Sequence, residues 1–382
     1  MLFWRKENQN GVKSRELRVK SKKWRVESME VFSSLAQDHH EQVVFCSDRV
    51  SGLRSIIAIH DTTLGPAIGG VRMFPYESEA EALEDVLRLS RAMTYKSAAA
   101  GINLGGGQGV IIGDPEKDKN ELILRAFGKC VNGLNGRYIT AEDVGTTVED
   151  MEIVRYETKW VTGLSEAMGG GGDPGPVSAI GVRHGLLACV QEVLGKKSLK
   201  GVSVAIQGVG NVGLYLAQLL HQDGCKLFVS DLVPSKAEKA REDFKAEIVS
   251  PDEIYQVKAD VFSPCALGGV INDDTVDKLK VKIVAGAANN QLAEERHGEI
   301  LQKRNIFYAP DFVIGAGGLI NVVNELEGHK PERALKKAQG IYDLMKKVIE
   351  ISKTQKLPTS VAANLLAERR IHEVKKFKQR HG

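Results

Sequence analysis

The stretch from Ser203 to Asp231 limits what this chain can fold into more than any other. A β-rich run, Ser203 to Gln207, leads into Gly208-Val209-Gly210-Asn211-Val212-Gly213. That turn opens an apolar-periodic helix to Gln222, and a second β-rich run from Cys225 ends on Asp231. A dinucleotide-binding α/β unit requires this order. The first glycine permits the turn, the second lets backbone approach a pyrophosphate, and the third lets helix pack on strand. The helix N-terminus then offers free N–H groups to the phosphates. Asp231 follows Gly213 by eighteen residues, close to the roughly 20-residue offset of a ribose-binding acid. A carboxylate repels a 2′-phosphate, so the stretch favours NAD over NADP, with Lys236 nearby as the opposing charge.

At 382 residues the chain has room for two domains, each with its own core. The fold class expected is α/β, with two domains around a cleft. Residues 1–28 read as a basic extension, disordered or preceding the true start at Met29, and hold nine Lys/Arg against three Glu. Without them the net charge changes from +3 to −3, so there is no general electrostatic case for a nucleic-acid partner. No apolar run suggests a membrane span, and residues 1–28 lack a secretory h-region. Five scattered cysteines without a CxxC suggest reduced thiols in a cytoplasm. His39 and His40 are adjacent, share no face, and read as surface residues; no metal site is expected.

Residues 29–165 read as one α/β unit, with strands at Val43–Cys46, Ile56–His60, Val110–Ile112 and from Tyr138. Helices are expected at Glu79–Lys96, where Ala82, Val86, Leu89 and Met93 recur every three or four residues, and at Glu121–Leu134. Gly169-Gly170-Gly171-Gly172-Asp173-Pro174-Gly175-Pro176 marks a boundary, and residues 166–176 are assigned as a hinge. Residues 177–320 alternate helix and strand around the glycine turn, with strands expected at Asp260–Phe262, Ile283–Ala285 and Ile306–Tyr308. Residues 321–382 read as helices, with the basic run from Glu368 to Lys378 as a solvated helix end.

Four stretches of the first unit combine glycines with polar groups beyond the needs of packing. They are Gly65-Pro66-Ala67-Ile68-Gly69-Gly70, Met93-Thr94-Tyr95-Lys96, Gly105-Gly106-Gly107-Gln108 and Thr140-Ala141-Glu142-Asp143. Glycine pairs can close backbone N–H groups on a small anion, and Lys96 supplies a cation at the end of an apolar helix. Alone, Lys96 reads as a surface lysine and Asp143 as a helix cap before Val144; together they point to a site.

With LGPAIGGVRM, MTYKSAAAGINLGGG, NGRYITAEDVGTT, QGVGNVG, PCALGG, AGAANNQL and APDFVIGAGGLINV in view, the chain resembles the Glu/Leu/Phe/Val amino-acid dehydrogenases. It is most similar to their leucine, phenylalanine, valine and tryptophan branch, over about Glu41 to Glu373. The resemblance implies reversible oxidative deamination: an L-amino acid, NAD and water give a 2-oxo acid, ammonium and NADH. It implies Gly69, Gly70 and Lys96 at the substrate carboxylate, with Asp143 aiding proton transfer and holding the ammonium group. It places the turn Gly208 to Gly213 and Asp231 on NAD, Ser178 near the nicotinamide amide, and Asn289 or Asn290 beside the ring. Ile68, Ala141, Leu319 and Val322 match the side-chain pocket, with Met93 beside it; all are apolar, which excludes a glutamate-type substrate. The implied partners are the small amino or 2-oxo acid and other copies of the chain, as a homo-oligomer. The first domain would carry the oligomer contacts, and the C-terminal helices would return to it.

The chain departs from the family pattern at two positions. A second lysine, the family's general base, is expected twelve residues after Lys96, and Gln108 stands there. Gln can orient water but cannot take its proton, which leaves Asp143 as the other candidate base. Gly315 stands where relatives have Asn, so a side chain lining the site is expected to be lost. Two readings follow: an amino-acid dehydrogenase with altered base usage, or a non-catalytic NAD-binding homologue that binds ligand or assembles with an active relative.

Overall fold

The computed structural model describes residues 31–381, so the basic stretch 1–28 lies outside the described residues. After α1 (Val31–Gln37), the first unit is a five-stranded sheet in the order β1-β2-β4-β3-β5. Its strands are β1 (Gln42–Asp48), β2 (Leu53–Asp61), β3 (Ala67–Phe74), β4 (Gly105–Ile112) and β5 (Tyr138–Glu142). β1 and β2 run antiparallel to their neighbours, whereas β3 is parallel to both β4 and β5. One face is covered by α2 (Glu79–Ala99), the other by α3 (Glu121–Gly133) and α4 (Val148–Arg155).

The glycine run Gly105-Gly106-Gly107 lies inside β4, not in a loop before it. A Cβ on Gly106 would fall 2.1 Å from Thr94 N of α2, and one on Gly107 would fall 2.8 Å from the Tyr138 ring. Gly106 therefore lets the α2 and β4 backbones approach closely and Gly107 makes room for the Tyr138 ring, and packing accounts for both without an anion. α2 is started by the Ser78 hydroxyl, which accepts from Glu81 N, and buries Ala82, Leu83, Val86 and Leu89. α4 starts on a capping box of Thr147 and Asp150, so Asp143 is not a helix cap.

His40 corrects the sequence reading. His39 adopts φ 58° and stays outside, which turns its neighbour inward. His40 Nε2 lies 3.0 Å from Ser90 Oγ and from Leu87 O, and its ring meets His60 edge-on. His60 Nδ1 pairs with Thr94 Oγ1 at 2.8 Å. Burial pushes His60 down to about 4, and lowers His40 as well. As pH falls, an unfolded His60 takes a proton near 6.5 while the folded one does not until about 4. Its contribution is therefore complete above pH 6.5 and is lost toward pH 4, by about 3 kcal/mol at the lower end. Urea unfolding of wild type and His60→Gln at pH 7 and pH 5 checks this: the variant is expected to lose less stability between the two.

The second unit is a six-stranded parallel sheet in the order β11-β10-β9-β6-β7-β8. Between α5 (Gly175–Leu194) and the end of the sheet the chain runs β6 (Ser203–Gln207), α6 (Asn211–Gln222), β7 (Lys226–Ser230), α7 (Pro234–Phe244) and β8 (Glu247–Ile248). Then come β9 (Val261–Pro264), β10 (Ile283–Val284), α8 (Arg296–Lys303) and β11 (Phe307–Tyr308). The strand order turns back beside β6, and in such sheets ligands bind at the C-terminal strand ends near this reversal. By length and composition α5 could cross a membrane, but it packs within the main core beneath this sheet.

The joint between the units is held in place. Glu325 of α10 (Gly317–Leu326) accepts from Gly163 N, Leu164 N and Gly171 N at 3.0–3.5 Å, so the glycine segment does not set its own shape. The helical tail follows α9 (Asp311–Ile314) and α10 with α11 (Pro331–Gln339), α12 (Ile341–Gln355) and α13 (Thr359–His381). The basic run of α13 is not wholly solvated. Arg370 donates to Ser97 O, Ala98 O, Ile102 O and Asn103 Oδ1, which covers the C-terminal end of α2. Glu368 accepts from Tyr95 Oη at 2.9 Å. Exposed carbonyls at a helix end attract a cation, so this part of α13 docks while Lys375, Lys376 and Lys378 stay exposed.

Candidate active site

A cavity of about 300 Å³ lies between the two units. Lys96, Gln108 and Asp143 meet there with Ile68, Gly69, Gly70, Met93 and Ala141 from the first unit. Asn289, Asn290, Leu319 and Val322 close it from the second. Residues spread over 254 sequence positions, from Ile68 to Val322, thus share one wall. A Cβ on Gly70 would fall 2.7 Å from Asp143 Cβ, so the missing side chain makes room for that acid. On Gly69 it would fall 1.7 Å from Gly107 O, so strand packing alone demands glycine there.

The position of the expected lysine has a defined geometry. Gln108 is buried on β4, and its Nε2 donates to Asp143 Oδ2 at 2.7 Å. Arg72 Nη2 lies 3.6 Å from the same oxygen, and Val144 N donates to Oδ1 at 2.7 Å. Arg72 in turn pairs with Asp85 at 2.9 Å, and Asp85 also accepts from Tyr76 Oη at 2.7 Å. Burial opposes the charge on Arg72, but Asp143 and Asp85 outweigh it and raise its pKa. Gln108 therefore orients Asp143 through a neutral donor.

Lys96 Nζ donates to Asn289 Oδ1 at 3.0 Å, a bond from one unit to the other. Burial lowers its pKa below the ordinary lysine value, while Asp311 and Asp143 resist that shift. Sequence reading assigned no role to Arg72, Glu142, Asp311 or Phe312, which all line the cavity. Arg72 was within reach, since strand alternation puts it on the face of Gly70. Glu142 Oε2 is buried without a partner, and burial raises its pKa. Gly315 does not line the cavity: a Cβ there would point at Asp311 O, 2.8 Å away, and Ala287 O.

The residues of the glycine turn fit a dinucleotide. Gly208 has φ +89°, and a Cβ on Gly213 would strike Gly208 O at 2.0 Å. α6 starts at Gly210 without a side-chain cap, so its first N–H groups are not claimed by one. Asp231 accepts from Val209 N and Val233 N at 2.9 Å each, which ties the turn to the end of β7. The Val209 side chain is buried and Val212 packs on the core, so these two residues can offer a cofactor only backbone. Asn211 Nδ2 donates to Asp173 Oδ1 at 2.6 Å, which links the turn to the joint. Ser178 Oγ donates to Pro174 O at 2.8 Å and sits against Gly318. Among the described residues, no group of three or more His, Cys, Asp or Glu could hold a metal ion.

Residues 40–160 match the family described as Glu/Leu/Phe/Val dehydrogenase, dimerisation domain. Residues 171–232 and 229–379 match Glutamate/Leucine/Phenylalanine/Valine dehydrogenase. The chain is 56% identical over 348 residues to leucine dehydrogenase of Thermoactinomyces intermedius, covering 91% of this chain and 95% of that one. It is 48% identical over 353 residues to L-tryptophan dehydrogenase of Nostoc punctiforme, covering 92% and 99%. The crystal structure of L-tryptophan dehydrogenase from Nostoc punctiforme superposes with a TM-score of 0.80 at 46% identity, over 90% of this chain and 99% of that one. Hetero-hexameric glutamate dehydrogenase from Thermus thermophilus shares the fold, at a TM-score of 0.75 and 22% identity over 89% and 90%.

Proposed function

Because the chain belongs to the Glu/Leu/Phe/Val dehydrogenase family, we propose that it deaminates a branched aliphatic L-amino acid to its 2-oxo acid, with NAD taking the hydride. It is an amino-acid dehydrogenase of the leucine dehydrogenase branch, acting on apolar substrates. The observation that carries this reading is the single cavity in which Lys96 and the Gln108–Asp143 pair face an apolar wall beside the dinucleotide unit. Leucine dehydrogenases are more identical to this chain, at 56%, than the tryptophan enzyme at 48%, which supports an aliphatic substrate.

In this reading Lys96 holds the substrate carboxylate, and Ile68, Ala141, Leu319 and Val322 take the side chain. Asp143, fixed by Gln108 and Arg72, holds the substrate ammonium group. Loss of an ammonium proton and of the Cα hydride leaves an iminium. Water adds at its carbon with Gln108 orienting it, Asp143 carries the water proton to the nitrogen, and the C–N bond breaks to release ammonium and the 2-oxo acid. NAD, when bound, supplies the hydride acceptor; this chain holds it by the Gly208–Gly213 turn, Asp231, Ser178, and Asn289 or Asn290. A cytoplasmic homo-oligomer is the proposed assembly, supported by the match to a dimerisation domain and by five free cysteines. The test is NADH formation at high pH from a panel of L-amino acids. Leucine, isoleucine and valine are expected to lead; turnover of glutamate alone, or NAD binding without any turnover, would defeat the proposal.

The preference for NAD has its own check. Asp231→Asn keeps an acceptor for the turn but removes the repelling charge. It is expected to weaken NAD binding about tenfold, by loss of a charge-assisted hydrogen bond, and to narrow the gap to NADP. Titration of both dinucleotides against wild type and variant gives the answer.

A further inference from the structure

α9 packs against α2, which carries Lys96, and Asp311 opens α9 on the second-unit side of the cavity. Its carboxylate accepts from Gln291 N at 2.8 Å and from Phe312 N at 2.7 Å, and the Asn290 N–H also reaches it. The segment it holds is the turn that presents Asn289 to Lys96. That turn is otherwise fixed by the buried Gln291 amide, which donates to Gly286 O and Ala288 O at 2.9 Å each. Asn290 sits at φ +49°, a backbone conformation that needs such support in a residue other than glycine.

Two acids act on the Lys96 ammonium, and they come from different units. Asp143 follows β5 of the first, and Asp311 belongs to the second. Asn289 and Asn290 on the second unit and Gln108 on β4 are neutral, and Glu142 of β5, whose pKa burial raises, lines the cavity without being one of the charges that act on Lys96. Arg72, on β3, is already engaged by Asp85 and Asp143. Asp143 is in turn engaged by Gln108 and Arg72, whereas Lys96 is the cation that acts on Asp311 among the described residues.

We propose that Asp311 is a positioning residue for Lys96, acting as a countercharge on the same cavity and through the Asn289–Asn290 turn it holds against the Lys96 ammonium. This rests on the reading of Lys96 as the substrate-carboxylate cation, but its first test does not. An opposite charge nearby favours the ionised form of a lysine, so removing it favours the neutral amine.

The experiment is pH-dependent acylation of Lys96 by acetic anhydride, read by mass spectrometry on the full chain with NAD present. Only the neutral amine reacts, so the labelling rate reports its ionisation without any need for turnover. Asp311→Asn is expected to move the labelling midpoint down by about one pH unit, and so to raise labelling at pH 8 about tenfold. Asp311→Glu is expected to restore the wild-type midpoint. Asp311→Ser, which keeps one acceptor for the turn, serves if the Asn variant does not fold. An unchanged midpoint in Asp311→Asn and Asp311→Ser, with NAD affinity retained, overturns the proposal. In a turning-over enzyme the alkaline limb of kcat/KM is expected to shift down with the labelling midpoint while NAD affinity stays within about twofold. If labelling shifts but wild type turns over no amino acid, the assigned function fails and the charge coupling stands.

Discussion

Gln108→Lys is expected to raise kcat for the favoured amino acid by about 10²–10⁴-fold, the range that a placed proton-transfer group contributes. Gln108 Nε2 already reaches Asp143 Oδ2 at 2.7 Å, so a lysine on the same strand position brings its ammonium to the same acid. The site is buried and Lys96 is a second cation within the cavity, and both conditions lower a lysine pKa toward the working range of a base. A Cβ on Gly69 would lie 3.1 Å from Gln108 Oε1, so Gly69 has to remain glycine for the longer side chain to fit. Steady-state kinetics from pH 7 to 11 measure the effect. The gain is expected in kcat, because the new group moves a proton, with KM little changed. A variant no faster than wild type would mean that Asp143 and a water held by Gln108 already supply the proton route, and that the lysine is dispensable in this cavity.

The nucleotide unit was legible because its signals are local. A glycine turn between a strand and a helix, followed by Asp231, needs no distant partner to be recognised, and β6, α6 and β7 lie where they were expected. The first unit was less legible where glycine is ambiguous. Gly105 to Gly107 read as backbone able to close on a small anion, but they are strand residues made small by their neighbours, Gly106 by α2 and Gly107 by the Tyr138 ring, because sequence does not show what passes overhead. Ala67–Phe74 was not read as a strand for the same reason: Gly69 and Gly70 interrupt its pattern. His40 and Arg370 were assigned to the surface from composition and spacing, yet each is captured by α2, His40 through Ser90 and Leu87 and Arg370 through its terminal carbonyls. Asp311 escaped notice because its partners, Gln291 N and Lys96, lie 20 and 215 positions away. Contacts across such distances depend on the fold: the polar, glycine-rich stretches had joined Lys96 to Asp143, and the resemblance to a family added Asn289.

Lys96→Met is expected to lower kcat/KM for the amino acid by about 10²–10³-fold or more, as loss of one member of a buried charge pair costs about 2–5 kcal/mol. Methionine keeps much of the length of the side chain and removes the charge, so a carboxylate entering the cavity would face Asp143 and Asp311 with no cation between them. NAD affinity is expected to hold within about threefold, since the glycine turn and Asp231 form their own hydrogen bonds apart from Lys96. The pH dependence separates this loss from a simple packing defect. Burial holds the pKa of Lys96 below the usual lysine value, so wild-type kcat/KM should fall with rising pH through a limb that begins earlier than an exposed lysine would give. Below that limb the ammonium is present and binds carboxylate; above it the amine does not. In Lys96→Met the limb should disappear, leaving a low and flatter profile, whereas a packing defect would reduce activity and leave the limb in place. A variant with kcat/KM within tenfold of wild type and the limb unmoved would show that another group carries the substrate carboxylate. Arg72 would then be the cation to examine next, because it lines the same cavity three residues beyond Gly69.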